Sequence, residues 1–153
     1  MLIVRQQGAA WDRPFAVVYE PRATDAAGPT DGIHSVTTLT SHDRFAGFRI
    51  VSRHAGQITQ QLVLVLPTAD STYADVTLEL NFRGRYAVVT LDESDAVTSL
   101  YLSEGTSLHS RGHTLTTQGA AHADVGGSTP VLTAPVPAQL TLPDGRRVES
   151  RAP

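Results

Sequence analysis

Three histidines close together in the sequence are the first residues whose side chains could do chemistry. His109, His113 and His122 lie within fourteen residues of one another. Neutral imidazoles are ligands for zinc, copper and nickel, and His109 and His113 would share one face of a straight strand. Arg111-Gly112 between them predicts a turn, however, and no carboxylate stands at ligand spacing. We therefore keep these histidines as an alternative metal site and expect neither a metal nor another cofactor.

Tyrosine and histidine side chains could together move a proton. The candidates are Tyr73, Tyr86 and Tyr101 with His34 or His42, because a general base must lie within hydrogen-bond reach of the proton it takes. Tyr86 is followed by three apolar residues, which is typical of a half-buried tyrosine in a sheet. We therefore expect no catalytic residue in this chain. A stand-alone enzyme that cleaves a glycan with Tyr and His, as a lyase or a hydrolase, remains the alternative.

Arginine and tryptophan side chains favour carbohydrate recognition. All twelve basic residues are arginine, whose planar guanidinium suits carboxylates and sulfates. Trp11, the only tryptophan, stands with Arg13 at the entrance of a predicted strand, and an aromatic ring can stack on a sugar. Arg83 and Arg85 flank Gly84 at a predicted hairpin tip. These four side chains (Trp11, Arg13, Arg83 and Arg85) are the predicted carbohydrate-binding residues.

Composition limits the function classes further. The chain has 153 residues, 41% of them hydrophobic and 18% charged, which is the balance of a soluble globular domain. The net charge of −3 argues against nucleic acid as a partner. No apolar run approaches the length of a membrane span, and there is no cysteine. No signal peptide is recognisable, so we expect any export signal to lie outside this chain.

Short strands must position these side chains. Apolar residues alternate or form brief runs between Gly, Pro, Asp and Ser, which predicts an all-β fold of about ten short antiparallel strands and no significant helix. We predict a single β-sandwich over residues 1–153, similar to a jelly roll. Strands are predicted at 2–4 and 13–21. Residues 45–53 and 57–66 are predicted to form a hairpin, and residues 72–82 a single strand. Turns are predicted at 83–85, 104–105 and 143–146, and a loop at 120–128.

Two segments carry a resemblance to a known family. Pro14-Phe15-Ala16-Val17-Val18-Tyr19-Glu20-Pro21, a loop, and Gly32-Ile33-His34-Ser35-Val36 resemble the C-terminal β-sandwich region of heparinase II/III-like polysaccharide lyases. Two later segments, Gly84 to Val89 and Gly105 to Leu108, fit the same pattern. The resemblance covers about the first two thirds of the chain.

The resemblance implies that the catalytic residues lie in a different part of the protein from this sandwich. In such lyases a helical toroid before the sandwich and a central sheet supply the catalytic residues, and this chain has no helical pattern. We therefore expect a non-catalytic accessory domain, a C-terminal fragment or free-standing equivalent of a larger protein, with a structural role or a role in binding. The expected partners are an acidic polysaccharide or the preceding catalytic domain, and the parent would be periplasmic or secreted. A module that assembles through its sheet edges is a further alternative.

Overall fold

A computed structural model describes Val18 and residues 31–42 and 44–150. These residues form one antiparallel sheet of eleven strands and no helix. The strands are β1 (Gly32–Ser41), β2 (Arg44–His54), β3 (Gln57–Val65), β4 (Thr72–Asp75), β5 (Leu80–Leu91), β6 (Val97–Ser110), β7 (His113–Thr117), β8 (Ala121–Asp124), β9 (Val131–Thr133), β10 (Ala138–Thr141) and β11 (Arg147–Ser150). The described part of the chain thus has no helix that could cross a membrane.

The long strands β5 and β6 belong to both layers of a β-sandwich. Residues 86–91 of β5 pair with β3, whereas residues 80–83 pair with β4. In β6, residues 99–102 pair with β8 and residues 107–110 with β7. The larger layer therefore contains β1, β2, β3, β8 and β9, and the smaller layer contains β4, β7, β10 and β11. Strands that pass from one layer to the other at a bend are a known way to make the corner of a sandwich.

The bend lies where Gly84 of β5 faces Gly105 of β6. The register shifts between Arg83 and Gly84, and the buried positions of β5 change from even numbers, as at Phe82, to odd numbers, as at Ala87. A bulge of this kind turns a strand and redirects its side chains. We call this region the corner.

The core fills the space between the layers. It consists of apolar side chains from both inner faces, of which the largest fully buried ones are Tyr73, Phe82, Leu62, Leu64, Leu91, Leu100, Leu102, Leu108, Leu115 and Leu140. Alternation then places the intervening residues of each strand on the two outer faces.

The structure confirms the all-β class and the hairpin of β2 and β3, and it corrects three predicted boundaries. Residues 83–85 and 104–105 are not turns but lie inside β5 and β6, because the two glycines bend the strands without ending them. The predicted strand 72–82 is divided by residues 76–79. There Asp75 accepts hydrogen bonds from the backbone N–H groups of Thr77 and Leu78, at 2.9 and 3.0 Å.

One predicted loop is also wrong in part. Residues 121–124 form β8 within the segment 120–128, since Ala121 and Ala123 are small enough to be buried against the core. The strands predicted at 2–4 and 13–21 lie outside the described residues, apart from Val18.

Candidate carbohydrate-binding site

Arg83 and Arg85 lie on the outer side of the corner, in the interior of β5 and not at a hairpin tip as predicted. Arg83 Nη2 lies 3.3 Å from Asp70 Oδ1, and Arg85 Nη1 lies 3.0 Å from Glu104 Oε2. The arginine side chains are 54% and 49% exposed. Solvent screens such exposed pairs, so they contribute little to stability, and a carboxylate or sulfate of a ligand can replace the protein carboxylates.

An aromatic pair lies beside the corner on the outer face of the larger layer. Tyr86 follows Arg85 directly and is 38% exposed. Its ring meets that of Tyr101 edge to face, with 5.9 Å between the centroids. A tyrosine held in this way offers both an apolar ring and a hydroxyl to a sugar. The corner thus combines two exchangeable guanidinium groups with one accessible aromatic ring, which is the chemistry of a site for an acidic glycan.

The other two predicted carbohydrate-binding residues, Trp11 and Arg13, lie outside the described residues. Their part in the site remains a prediction.

The three histidines do not share a face. His109 and His113 are on the two arms of the β6–β7 hairpin, where His109 faces Thr114 and His113 faces Ser110. His122 is on β8 opposite Tyr101, eight residues along β6 from His109. Among residues 31–42 and 44–150 there is no group of three His, Cys, Asp or Glu side chains that could hold a metal ion. The Arg111-Gly112 turn is the reason, because it reverses the chain between the first two histidines.

The hydrogen-bond partners of His109 and His113 indicate local structural roles for both side chains. His109 Nδ1 lies 2.9 Å from Thr114 Oγ1, and His113 Nδ1 lies 3.3 Å from the carbonyl oxygen of Arg111. Burial lowers the pKa of His113, against the opposing effect of backbone hydrogen bonds. Since burial disfavours the charged form, His113 is a neutral side chain that closes the β6–β7 turn.

The predicted tyrosine and histidine candidates for proton transfer lie in different parts of the fold. Tyr73 is buried, its hydroxyl donates to Asp75 Oδ2 at 3.3 Å, and burial together with the Asp75 carboxylate raises its pKa to about 12. An effective general base has a pKa near the working pH, so this environment acts against catalysis by Tyr73. His34 and His42 are on or beside β1, which β2, β3 and β5 separate from Tyr101 on β6.

The outer face of the smaller layer is polar. One row of cross-strand neighbours on this face consists of Thr72, Arg83, Ser107, Thr116, Gln139 and Glu149. A shallow groove of about 640 Å³ near its end is lined by side chains that include Thr106, Gln118 and Glu149. Among residues 31–42 and 44–150, its only charged lining residue is that glutamate, whose charge does not suit an acidic ligand, so the described residues favour the corner as the site.

The sequence reasoning missed a second group of arginines, inside the sandwich. Arg49 on β2 donates to Gln60, Gln60 donates to Asp95, and Asp95 lies near Arg111. Arg53 is on the same face of β2 as Arg49, on the other side of Gln60 in the register. The alternation of side chains along a strand could have identified Arg49 and Arg53, since residues 49 and 53 fall on the same side of the strand as the buried residues of the hairpin.

Comparisons with known proteins identify similar sequences. Residues 33–125 match the family model described as the endo-acting ulvan lyase C-terminal domain. Over 123 residues, 80% of this chain, the sequence is 28% identical to an endo-acting ulvan lyase of Formosa agariphila (strain DSM 15362). The chain covers 15% of the length of that relative. No solved structure matches.

Proposed function

The chain belongs to the family of endo-acting ulvan lyase C-terminal domains, and we propose that it is a non-catalytic accessory domain that binds an acidic polysaccharide for a larger lyase. The observation that supports binding is the corner, where Arg83, Arg85 and Tyr86 are exposed together. The ion pairs with Asp70 and Glu104 hold the guanidinium groups in place until a ligand replaces the carboxylates. The domain thereby raises the local concentration of substrate without taking part in bond cleavage.

Two finer points belong to the same proposal. The segments 14–21 and 32–36 support a kinship with heparinase II/III-like lyases in particular. Action on an extracellular polysaccharide would place the parent protein in the periplasm or outside the cell.

We expect the double variant Arg83→Met/Arg85→Met to bind a uronate-containing polysaccharide at least about fivefold more weakly than the unchanged chain, because each lost guanidinium removes a charge-assisted hydrogen bond. Glu104→Gln should have the opposite effect, since it removes the carboxylate that competes for Arg85. Affinity electrophoresis or biolayer interferometry with the immobilised polysaccharide measures both changes. Binding should also weaken with salt, as expected for exposed charges.

Arg146 provides the matched control. It is an exposed arginine whose Nε lies 2.6 Å from Asp144 Oδ2, in the turn before β11 and away from the corner. Arg146→Met should therefore leave the affinity unchanged. Equal losses in Arg146→Met and in the double variant would show non-specific attraction and would refute the site. Formation of unsaturated uronate by the purified chain, detected by its ultraviolet absorbance, would refute the non-catalytic role.

We further propose that the outer face of the larger layer packs against the preceding part of the lyase polypeptide. Three of the four exposed large apolar side chains in the described residues, Val36, Tyr86 and Val131, are on this face. Phe48, Val63, Val88 and Tyr101 form a cross-strand row beside them and are partly exposed. Exposed apolar side chains grouped on one face are typical of a contact with another protein surface. The length of the relative outside the matched part makes its own polypeptide the proposed occupant.

A substitution on this face tests the packing surface. Val36→Glu should reduce the fluorescence of the apolar dye anilinonaphthalene sulfonate bound to the isolated chain by about half, because a charge interrupts the apolar rows. Val76→Glu is the control, since Val76 is 94% exposed but lies between β4 and β5. Absence of dye binding by the unchanged chain, or an equal decrease in both variants, would refute an apolar docking face.

A further inference from the structure

We propose that Arg49, Arg53 and Arg111 form a binding site for an oxyanion, a carboxylate or a sulfate group, at the open end between the two layers. We call these three residues the arginine cluster. It is separate from the corner, and three observations support it: the placement of two of the arginines on either side of one glutamine, the unused hydrogen-bond donors of Arg53 and Arg111, and the exposed edge of β1 beside them.

The register of the β2–β3 hairpin places two arginines on either side of Gln60. Arg49 is directly opposite Leu62, and Arg53 is directly opposite Ile58. Gln60 lies between Leu62 and Ile58 on β3, so both arginines are its diagonal neighbours on the inner face. Long side chains reach across such diagonals. Arg49 does so, because its Nε donates to Gln60 Oε1 at 3.0 Å and its Nη2 donates to the same oxygen.

A chain of polar contacts continues from Gln60 to the third arginine. Gln60 Nε2 donates to Asp95 Oδ1 at 2.7 Å. Asp95 Oδ2 lies 3.7 Å from Arg111 Nη2. The turn between β5 and β6 thus contributes Asp95, and the turn between β6 and β7 contributes Arg111. Arg49, Arg53, Arg111 and Asp95 together have a formal charge of about +2 at neutral pH.

Two guanidinium groups have buried donors that bind nothing within the described structure. The Nε atoms of Arg53 and Arg111 are inaccessible to solvent and have no hydrogen-bond partner. Buried polar groups in folded proteins are normally paired, so each exception needs a physical explanation. An oxyanion supplies one, because it accepts hydrogen bonds from several guanidinium donors at once and balances the excess positive charge.

The cluster is accessible from the β1 side of the sandwich. Thr37 and Ser35 lie opposite Arg49 and Val51 on the same inner face, and both are exposed. The smaller layer therefore does not cover this edge. The Arg111 side chain is 26% exposed. An anion can thus approach along β1, and turning the Arg53 and Arg111 side chains toward it exposes their buried Nε–H groups without rearrangement of the core.

The comparison with the corner indicates which site binds an anion more specifically. Arg83 and Arg85 each have their own carboxylate on an open surface. In the arginine cluster Asp95 pairs with Arg111, whereas Arg49 donates to the Gln60 amide, and all three arginines are partly buried. Partial burial reduces screening by water and salt, so we expect binding at the cluster to depend less on salt than binding at the corner.

The Nε–H groups of Arg53 and Arg111 allow a direct test by ¹H–¹⁵N NMR, since burial slows their exchange with water. The unchanged chain is titrated at constant ionic strength with sodium sulfate, with sodium glucuronate and with a uronate oligosaccharide. We expect saturable shifts of both Nε–H signals. Arg53→Met should weaken binding of the same anion about tenfold or more, and Arg53→Lys, which keeps the charge but not the planar donor set, should lie between.

Arg147→Met is the matched control, because Arg147 is an exposed arginine on the outer face of β11, and it should bind like the unchanged chain. Circular dichroism confirms that each variant is folded. Saturation by sulfate or glucuronate supports a site for a free oxyanion, and saturation by the oligosaccharide alone supports a site for an oxyanion carried on a glycan. If none of the three moves the Nε–H signals of Arg53 or Arg111, the proposal is wrong. The variant Arg83→Met/Arg85→Met should retain this binding, so failure here is distinguishable from failure of the corner.

Discussion

Replacing Gly47 with alanine is expected to lower the free energy of unfolding by about 4 kcal/mol or more, an exceptional effect for a single methyl group. Gly47 has a φ of 149°, which residues with a side chain rarely adopt. A Cβ atom there would lie 1.9 Å from the carbonyl oxygen of Val63 and 2.9 Å from its carbonyl carbon. Both atoms belong to the backbone of β3, so no side-chain rotation relieves the clash, and β2 and β3 must separate locally.

Gly56 provides the control for this prediction. It has a φ of 83° in the turn of the same hairpin, and a Cβ atom there would meet nothing within 4 Å. Gly56→Ala should therefore cost about 1 to 2 kcal/mol, the price of the left-handed conformation alone. Urea unfolding followed by circular dichroism measures both variants. Similar losses in the two would show that β2 and β3 do not approach as closely at Gly47 as the structure indicates.

The hairpin of β2 and β3 was predictable because its signals are local. Two β-rich runs are separated by Ala55-Gly56, and both residues have positive φ, 50° and 83°. The turn and the alternation in both arms agree with each other. The buried residues of β3 follow the same alternation, since Leu62 and Leu64 are buried.

The corner was not predictable in the same way, because it depends on a non-local pair. Gly84 and Gly105 each look like turn residues in the sequence, with charged or small neighbours. Their function in the fold follows only from their being opposite one another across β5 and β6. A single glycine predicts a turn, whereas two facing glycines let continuous strands bend, and twenty residues of sequence lie between them.

The candidate sites show the same limit at the level of side chains. Residue type alone identified Arg83 and Arg85 as cations suited to an acidic glycan. The carboxylates that hold them, Asp70 and Glu104, come from a loop and from the neighbouring strand. The arginine cluster was missed because Arg49 and Arg53 are charged residues on an inner face, and Arg111 comes from a turn 58 residues beyond Arg53. Which face is open to solvent depends on the extent of the opposite layer, which periodicity does not encode.

Replacing Gly105 with alanine is expected to cost about 3 kcal/mol of unfolding free energy and to weaken binding at the corner. A Cβ atom at this position would lie 2.6 Å from the carbonyl oxygen of Arg83 and 2.7 Å from the Cα atom of Gly84. Overpacking against backbone costs about 1 to 3 kcal/mol, or more where neither strand can shift. Relief requires β5 and β6 to move apart at the bend, which displaces Arg85 from Glu104 and disturbs the corner where Arg83 and Arg85 lie. Gly127→Ala, whose nearest neighbour would be the Thr129 carbonyl oxygen at 4.0 Å, should change stability by no more than about 0.5 kcal/mol. Thermal unfolding and polysaccharide titration of the two variants therefore test the fold and the site together. A stable Gly105→Ala protein with full affinity would contradict the close approach of the strands. A destabilised Gly105→Ala protein with full affinity would show that the corner is not the binding site.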